Sequence, residues 1–252
     1  SPAEIAAHIQ EVIDSGPQRF QTRHRRKDGQ EIDVEVSTNF MPGVDRFTCY
    51  IQDITERKHQ REALARTKEL LDSIREAQTA YIAQEAPEAV YGRLLDILVS
   101  MTDSEFGFLD EVLYEPDGTA YKVSLALSNI SWDQESKALY EQLRARDLEF
   151  RNLDNLSGLP VLQKQPVIAN DPRSDPRSGG RPAGHPAIRS FLGLPILSGD
   201  TVVGVAGVAN RAGGYDEEMS EFLEPYLNAC AGIIESDRLR KQQREAEDAL
   251  RA

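Results

Sequence analysis

Four histidines, two cysteines and one arginine-rich loop are the groups in this 252-residue sequence with chemistry to offer. The loop reads NDPRSDPRSGGRPAGHPAIRSFLGLPIL, residues 170–197. Its first half presents Asn170, Asp171, Arg173 and Arg181. Its second half presents His185, Arg189, Ser190 and Phe191, where the chain turns apolar. A cationic guanidinium and a titratable imidazole suit an anionic or polar ligand. A few converging polar groups above an apolar floor, with aromatic neighbours such as Trp132 and Phe191, make a small-molecule site. The same residues also suit a plain connector. Loop arginines meet water, His185 between Gly184 and Pro186 shapes a turn, Asp171 caps a turn, and Trp132 is core.

Other chemistries are excluded by pattern. His8, His24, His59 and His185 are scattered and form no metal-spacing cluster with cysteine. Cys49 and Cys230 lie far apart and belong to no CxxC pair, as expected of reduced thiols, half or fully buried, in the cytoplasm. There is no P-loop and no dinucleotide glycine motif, and the glycines of VGVAGVAN fall inside a strand, where close packing explains them. A formal net charge of −13 repels phosphate backbones and argues against nucleic acid as a partner. Apolar residues at 40% and charged residues at 28% are ordinary for a soluble globular protein. No apolar run is long enough to span a bilayer and no signal-peptide pattern is visible. The chain opens on Ser1 rather than Met, which reads as a soluble fragment of something longer, with room for membrane spans outside it.

The elements that must position the loop follow from periodicity. SPAE at 1–4 is a capping box for a first helix that ends at Gly16-Pro17. Two alternating runs flank Lys27-Asp28-Gly29 and predict an antiparallel hairpin, with Ile32, Val34 and Val36 on one face and Glu31, Asp33 and Glu35 on the other. A third strand covers 46–54, with Phe47, Cys49 and Ile51 facing one way. From Thr55 the period becomes helical. Leu64, Thr67, Leu71, Ile74, Gln78 and Tyr81 recur at alternating three- and four-residue steps, a coiled-coil seam on a helix about 40 Å long. So narrow a seam calls for a partner helix, hence a parallel homodimer, with a lone solvated linker helix as the alternative. A second helix is expected over 86–101 and a polar helix over 133–146. Strands are expected in FGFLDEVLY, AYKVSLALS, SFLGLPIL and TVVGVAGVAN, with a short helix and an edge strand over 159–171. Asp216 should cap a long final helix that Pro225 kinks. The class is α+β: a partial antiparallel sheet, a long coiled-coil helix, then an antiparallel sheet flanked by helices.

Two family resemblances rest on these residues. RFQTRHRRKDGQEIDVEVSTNFM followed by RFTCYIQDITERK resembles the C-terminal half of a PAS domain, over residues 1–55. Asp53, Ile54 and Thr55 match that family's junction, where strand becomes signalling helix. The resemblance implies that Asp53 ties down the helix start by a salt bridge or cap and that Thr55 bonds nearby backbone. QPVIANDP, then HPAIRSFLGLPILSGDTVVGVAGVANR and YDEEMSEFLEPYLNACAGII, resemble a GAF domain over residues 83–236. Residues 56–82 then serve as the signalling helix and 237–252 as the start of an output linker.

The pair of modules resembles the input region of bacterial signalling proteins such as sensor histidine kinases or cyclic-di-GMP enzymes. It implies a non-enzymatic sensory module in which a small unidentified ligand binds between sheet and loops. The signal then passes through dimeric helices to a covalently linked output domain outside this chain. Trp132, Asn170, Asp171, Arg173, His185, Arg189, Ser190 and Phe191 are the binding candidates. No metal, haem or covalent tetrapyrrole is indicated: Cys230 falls on the final helix and chromophore motifs are not visible. NRAGGYDEE (210–218) is only a loose echo of a cyclic-nucleotide pattern, so Asn210 and Tyr215 read as framework. His59 lacks the surroundings of a phosphoacceptor and reads as a solvated helix residue. Two alternatives stand: a GAF-type methionine sulfoxide reductase, which would need a nucleophilic and a resolving cysteine, and a ligand-free dimerisation scaffold.

Overall fold

The computed structural model describes residues 10, 12–14, 16–129, 149–179 and 185–251. The expected polar helix at 133–146, Trp132, Arg181 and most of the first helix lie outside the described residues. The chain divides into two compact units, 1–68 and 69–252.

The first unit is a three-stranded antiparallel sheet in the order β1 (Gln18–Arg25), β2 (Glu31–Met41), β3 (Arg46–Asp53). Asp28 and Gly29 turn the hairpin. Gly29 lies at φ +90, and Asp28 Oδ1 accepts from the Gln30 amide at 2.9 Å. Val34 and Val36 are buried, as is Ile54, but so is Glu35 on the opposite side of the strand, where Arg19 and Arg57 meet its carboxylate. The face on which Phe47, Cys49 and Ile51 were expected to sit together is exposed along the whole of β3. A single helix, α1 (Thr55–Ile82), starts in this unit and ends in the second.

The second unit is built on a six-stranded antiparallel sheet: β4 (Phe106–Tyr114), β5 (Ala120–Leu127), β6 (Glu149–Phe150), β7 (Val167–Ala169), β8 (Phe191–Ser198) and β9 (Thr201–Ala209). Their spatial order is β6-β5-β4-β9-β8-β7. One face is covered by α2 (Pro87–Met101), which packs on β4 and β5, and by α5 (Glu224–Arg251), which packs on β8 and β9. Leu109, Leu192, Leu194, Ile196, Ala206 and Val208 meet Leu94, Leu98, Tyr226 and Ile234 there, with Leu70, Ile74, Ala77 and Ala80 of α1 in the same core. The opposite, loop-covered face carries smaller clusters. Val112 and Val205 lie with Leu153 and Val161, while Phe191 lies with Leu156, Leu159 and Val167. The short helix α3 (Leu159–Gln163) packs over β8 and β9.

Two expectations are corrected here. The final helix is not one kinked rod. Asp216 caps α4 (Glu217–Phe222) by accepting from the Met219 amide at 2.9 Å, the chain breaks at Leu223, and α5 begins at Glu224. Pro225 thus occupies the first turn of a new helix, where its missing N–H costs nothing, instead of an interior position where it would bend one. The expected seam on α1 also divides. Ile74 is inside the chain's own core and Tyr81 lies under the Arg240 guanidinium at 4.4 Å, whereas Leu64, Thr67, Leu71 and Gln78 are exposed. The stripe that α1 buries is Leu70, Ile74, Ala77 and Ala80, spacings that place them on one side of a 3.6-residue helix.

Candidate functional site

β4 is the strand on which polar chemistry concentrates. Alternation puts Phe106, Phe108, Asp110 and Val112 on the loop face and Leu109 and Glu111 on the helix face. The β4–β5 register shifts between Leu109 and Asp110, a bulge of the kind that re-aims side chains. Asp110 is 2% exposed and Lys122, reaching across from β5, is 3% exposed. Lys122 Nζ donates to Asp110 Oδ2 at 2.9 Å and lies 3.4 Å from both Ser157 O and Ser157 Oγ. The ammonium also sits 4.7 Å from the Phe108 ring centre and 5.3 Å from that of Phe150. Asp110 Oδ1 is buried without a hydrogen-bond partner among the described residues. Burial lifts the Asp110 carboxyl above its ordinary range, and the Lys122 ammonium pulls it back part of the way.

The aromatic floor beside this pair is shaped by a glycine. Phe108 stacks on Phe191 at 6.5 Å, and a Cβ at Gly207 would collide with the Phe108 ring. Gly207 is therefore needed for close approach, in keeping with the sequence reading of VGVAGVAN.

On the helix face, Glu111 accepts from Arg238 Nε at 3.0 Å, and Arg238 Nη2 also donates to Val112 O at 3.0 Å. Near it, Tyr91 donates to Asp237 Oδ2 at 2.7 Å, and burial, reinforced by Asp237, pushes the Tyr91 phenol well above its usual range. Sheet and α5 are thus joined by charged hydrogen bonds at a single strand segment.

The residues singled out from the 170–191 loop have defined places. Asn170 bridges to Tyr215, donating to its carbonyl at 2.9 Å and accepting from its amide at 2.8 Å. Asp171 Oδ2 accepts from Ser174 Oγ at 2.8 Å in a turn, and Arg173 is exposed. His185 Nδ1 is 2.9 Å from Pro186 O, and the ring meets Phe106 edge-on at 5.7 Å. Arg189 pairs with Glu105 through its guanidinium, and its amide donates to Asn210 Oδ1 at 2.7 Å. Ser190 is buried with Oγ 3.3 Å from Arg211 O, and Phe191 is core. Asn210, at φ 68, also donates to Glu105 Oε2 and to Ala187 O, so it braces the end of the loop. The structure therefore brings Arg189, Ser190 and Asn210 together with Glu105. It holds Asn170 at Tyr215 and leaves Arg173 outward. Sequence reasoning missed Asp110, Lys122, Glu111 and Arg238. The signal was present, since Asp110, Glu111 and Lys122 are charges within two largely apolar strands, and such positions demand partners.

At the start of α1, Asp53 Oδ1 accepts from the Thr55 amide at 3.0 Å and Oδ2 from Arg26 at 2.7 Å. The Thr55 amide, with Arg26 behind it, holds the Asp53 carboxyl below its usual range. Thr55 Oγ1 accepts from the Asp33 amide at 2.9 Å, and Ile54 is buried. Cys230 is 0% exposed, and burial pushes its thiol up to about 12. Cys49 is exposed. Among the described residues no group of His, Cys, Asp and Glu is placed to hold a metal, and no helix is long and apolar enough to cross a membrane.

The six-stranded unit has known counterparts. The GAF domain of a phosphoenolpyruvate-protein phosphotransferase from Coxiella burnetii superposes with a TM-score of 0.56 at 18% identity, covering 70% of this chain and 98% of that one. Free methionine-R-sulfoxide reductase from Neisseria meningitidis, in complex with its substrate, gives 0.50 at 12% identity, covering 69% and 93%. At these identities the likeness is one of fold. Over 265 aligned positions the chain is 27% identical to a Methyl sulfide methyltransferase-associated sensor of Methanosarcina acetivorans, covering 99% of this chain but only 24% of that protein's length. The model of the GAF domain matches residues 84–235, more than half of the chain, and on that match the chain belongs to the GAF domain family.

Proposed function

We propose that this chain is a sensory module whose GAF domain holds a small ligand on the loop face of its sheet and passes occupancy to α5. The observation that carries the reading is the division of labour on β4. Asp110 faces the loop side with one oxygen unmet, and the next residue, Glu111, grips Arg238 of the outgoing helix. A ligand that drew on Asp110 would move the strand segment that α5 is tied to, and a helix tied at one point can shift or rotate as a body. The name of the Methanosarcina acetivorans relative, a sensor, agrees with this reading. In it the first unit is the C-terminal half of a PAS domain, and the exposed Leu64, Leu71 and Gln78 of α1 face a second copy. The output domain lies outside this chain, as in sensor kinases or cyclic-di-GMP enzymes. No catalysis is assigned to the chain. A nucleophilic cysteine needs an accessible, acidified thiol, and Cys230 is neither exposed nor acidified.

The test is a thermal-shift screen of the purified chain against a metabolite panel, with native mass spectrometry for molecules carried through purification. A ligand bound only by the native state raises the melting temperature. In the full-length protein, Arg238→Ala should keep that rise and lose ligand-dependent output. A panel with no rise and no carried molecule would sink the sensory reading. Output that persists in Arg238→Ala would sink the route through β4.

A further inference from the structure

We propose that the Asp110–Lys122 pair is the polar floor of the ligand site, and that it takes a small uncharged molecule bearing one N–H or O–H donor on an apolar body. The inference rests on the sensory reading for the existence of a ligand and supplies its chemistry.

Three observations lead there. First, a carboxylate offers about four acceptor sites, and Asp110 satisfies one oxygen through Lys122 while the buried Oδ1 meets no donor among the described residues. A buried acceptor without a donor is costly to leave unmet, so this position calls for an incoming N–H or O–H. Second, the charges are balanced. One carboxylate and one ammonium at 2.9 Å sum to zero in a site 2% and 3% exposed. A cationic ligand would add an uncompensated positive charge and an anionic one a negative charge, and each would carry a desolvation penalty with no new counter-ion to offset it. A neutral donor avoids both. Third, the surroundings are apolar and aromatic. Phe108 and Phe150 flank the ammonium, and Phe191 stacks on Phe108. That wall suits a hydrocarbon or aromatic body beside the single donor. The two long contacts to Ser157 leave the ammonium loosely held on that side.

The experiment uses four probes of one shape on the purified chain: benzyl alcohol, benzylamine, benzoate and toluene. Binding is followed by calorimetry and by melting temperature. Benzyl alcohol should bind at least about tenfold more tightly than the other three, the scale of one hydrogen bond to a charged group. The paired variant Asp110→Leu with Lys122→Met removes both charges at once and so should fold. It should lose the benzyl alcohol preference and bind toluene as well as the alcohol. Benzylamine or benzoate binding as tightly as the alcohol would overturn the proposal. So would an unchanged preference in the paired variant, or a fixed water on Asp110 Oδ1 with no probe bound. Native mass spectrometry separates this failure from that of the sensory reading. A metabolite carried equally by wild type and paired variant removes this site and leaves the sensor. A wild type that carries no metabolite and responds to no panel compound removes both.

Discussion

The two faces of the six-stranded sheet solve opposite problems. The helix face buries large aliphatic side chains from β4, β8 and β9 against α2, α5 and the end of α1, and three of its polar side chains reach protein partners, although the buried Tyr81 hydroxyl meets none among the described residues. Tyr226 donates to Leu94 O at 3.0 Å, Tyr91 to Asp237, and Arg238 to Glu111. The loop face is divided into smaller clusters around a buried ion pair with an unmet oxygen. A face finished by packing gives stability. In the proposed reading the loop face is completed only when something donates to Asp110, and such a face can respond because its free energy would depend on what is bound.

Changes on each face test this contrast. Lys122→Met alone should have the largest effect, a loss of about 3–5 kcal/mol in urea unfolding, because it strands a buried carboxylate. The paired Asp110→Leu, Lys122→Met variant should recover most of that loss. Leu194→Ala on the helix face, fully buried, should cost about 2–5 kcal/mol through transfer and cavity terms. A ligand of the proposed site, at saturation, should raise the stability of Leu194→Ala and of the wild type by the same amount and leave their difference unchanged. Tyr226→Phe should cost about 1 kcal/mol, one buried neutral hydrogen bond.

The smallest effects should appear in the pH dependence, where two aspartates pull oppositely. Asp53 is held below its ordinary range, so its contribution is present above about pH 4 and is lost as pH falls through the lowered folded value. Asp110 is raised, so its contribution is complete below about pH 4 and is lost as pH rises through the raised folded value. Urea midpoints between about pH 3 and 7 should therefore lose less on acidification in Asp53→Asn and less on neutralisation in the paired variant. Equal slopes in all three proteins would dissolve the distinction.

Some of this was visible in the residues and some was not. The hairpin at Lys27-Asp28-Gly29 and the cap at Asp216 are local, since donor, acceptor and backbone angle lie within a few residues. The Asp53–Thr55 bond is local in the same way, but the Arg26 partner of Asp53 depends on the hairpin folding back 27 residues. The α1 stripe was legible as helical periodicity. Which stripe turns inward was not, because Leu70, Ile74, Ala77 and Ala80 compete with the heptad positions on the same helix and only α2 and α5 decide between them. The loop arginine Arg189 reads as a ligand group until Glu105, distant in sequence, is found beside it.

The sequence by itself determined the element types, the alternation that sends Asp110 and Glu111 to opposite faces of one strand, and the caps and turns. These depend on residue spacing and backbone conformation within a turn or two. Only the tertiary structure decided that Lys122 reaches Asp110, that Arg238 closes on Glu111, and that one oxygen of Asp110 is left over. Each of these follows from strand register and helix packing between residues remote in the chain, and a buried charge shows what it lacks only when all its neighbours are in place.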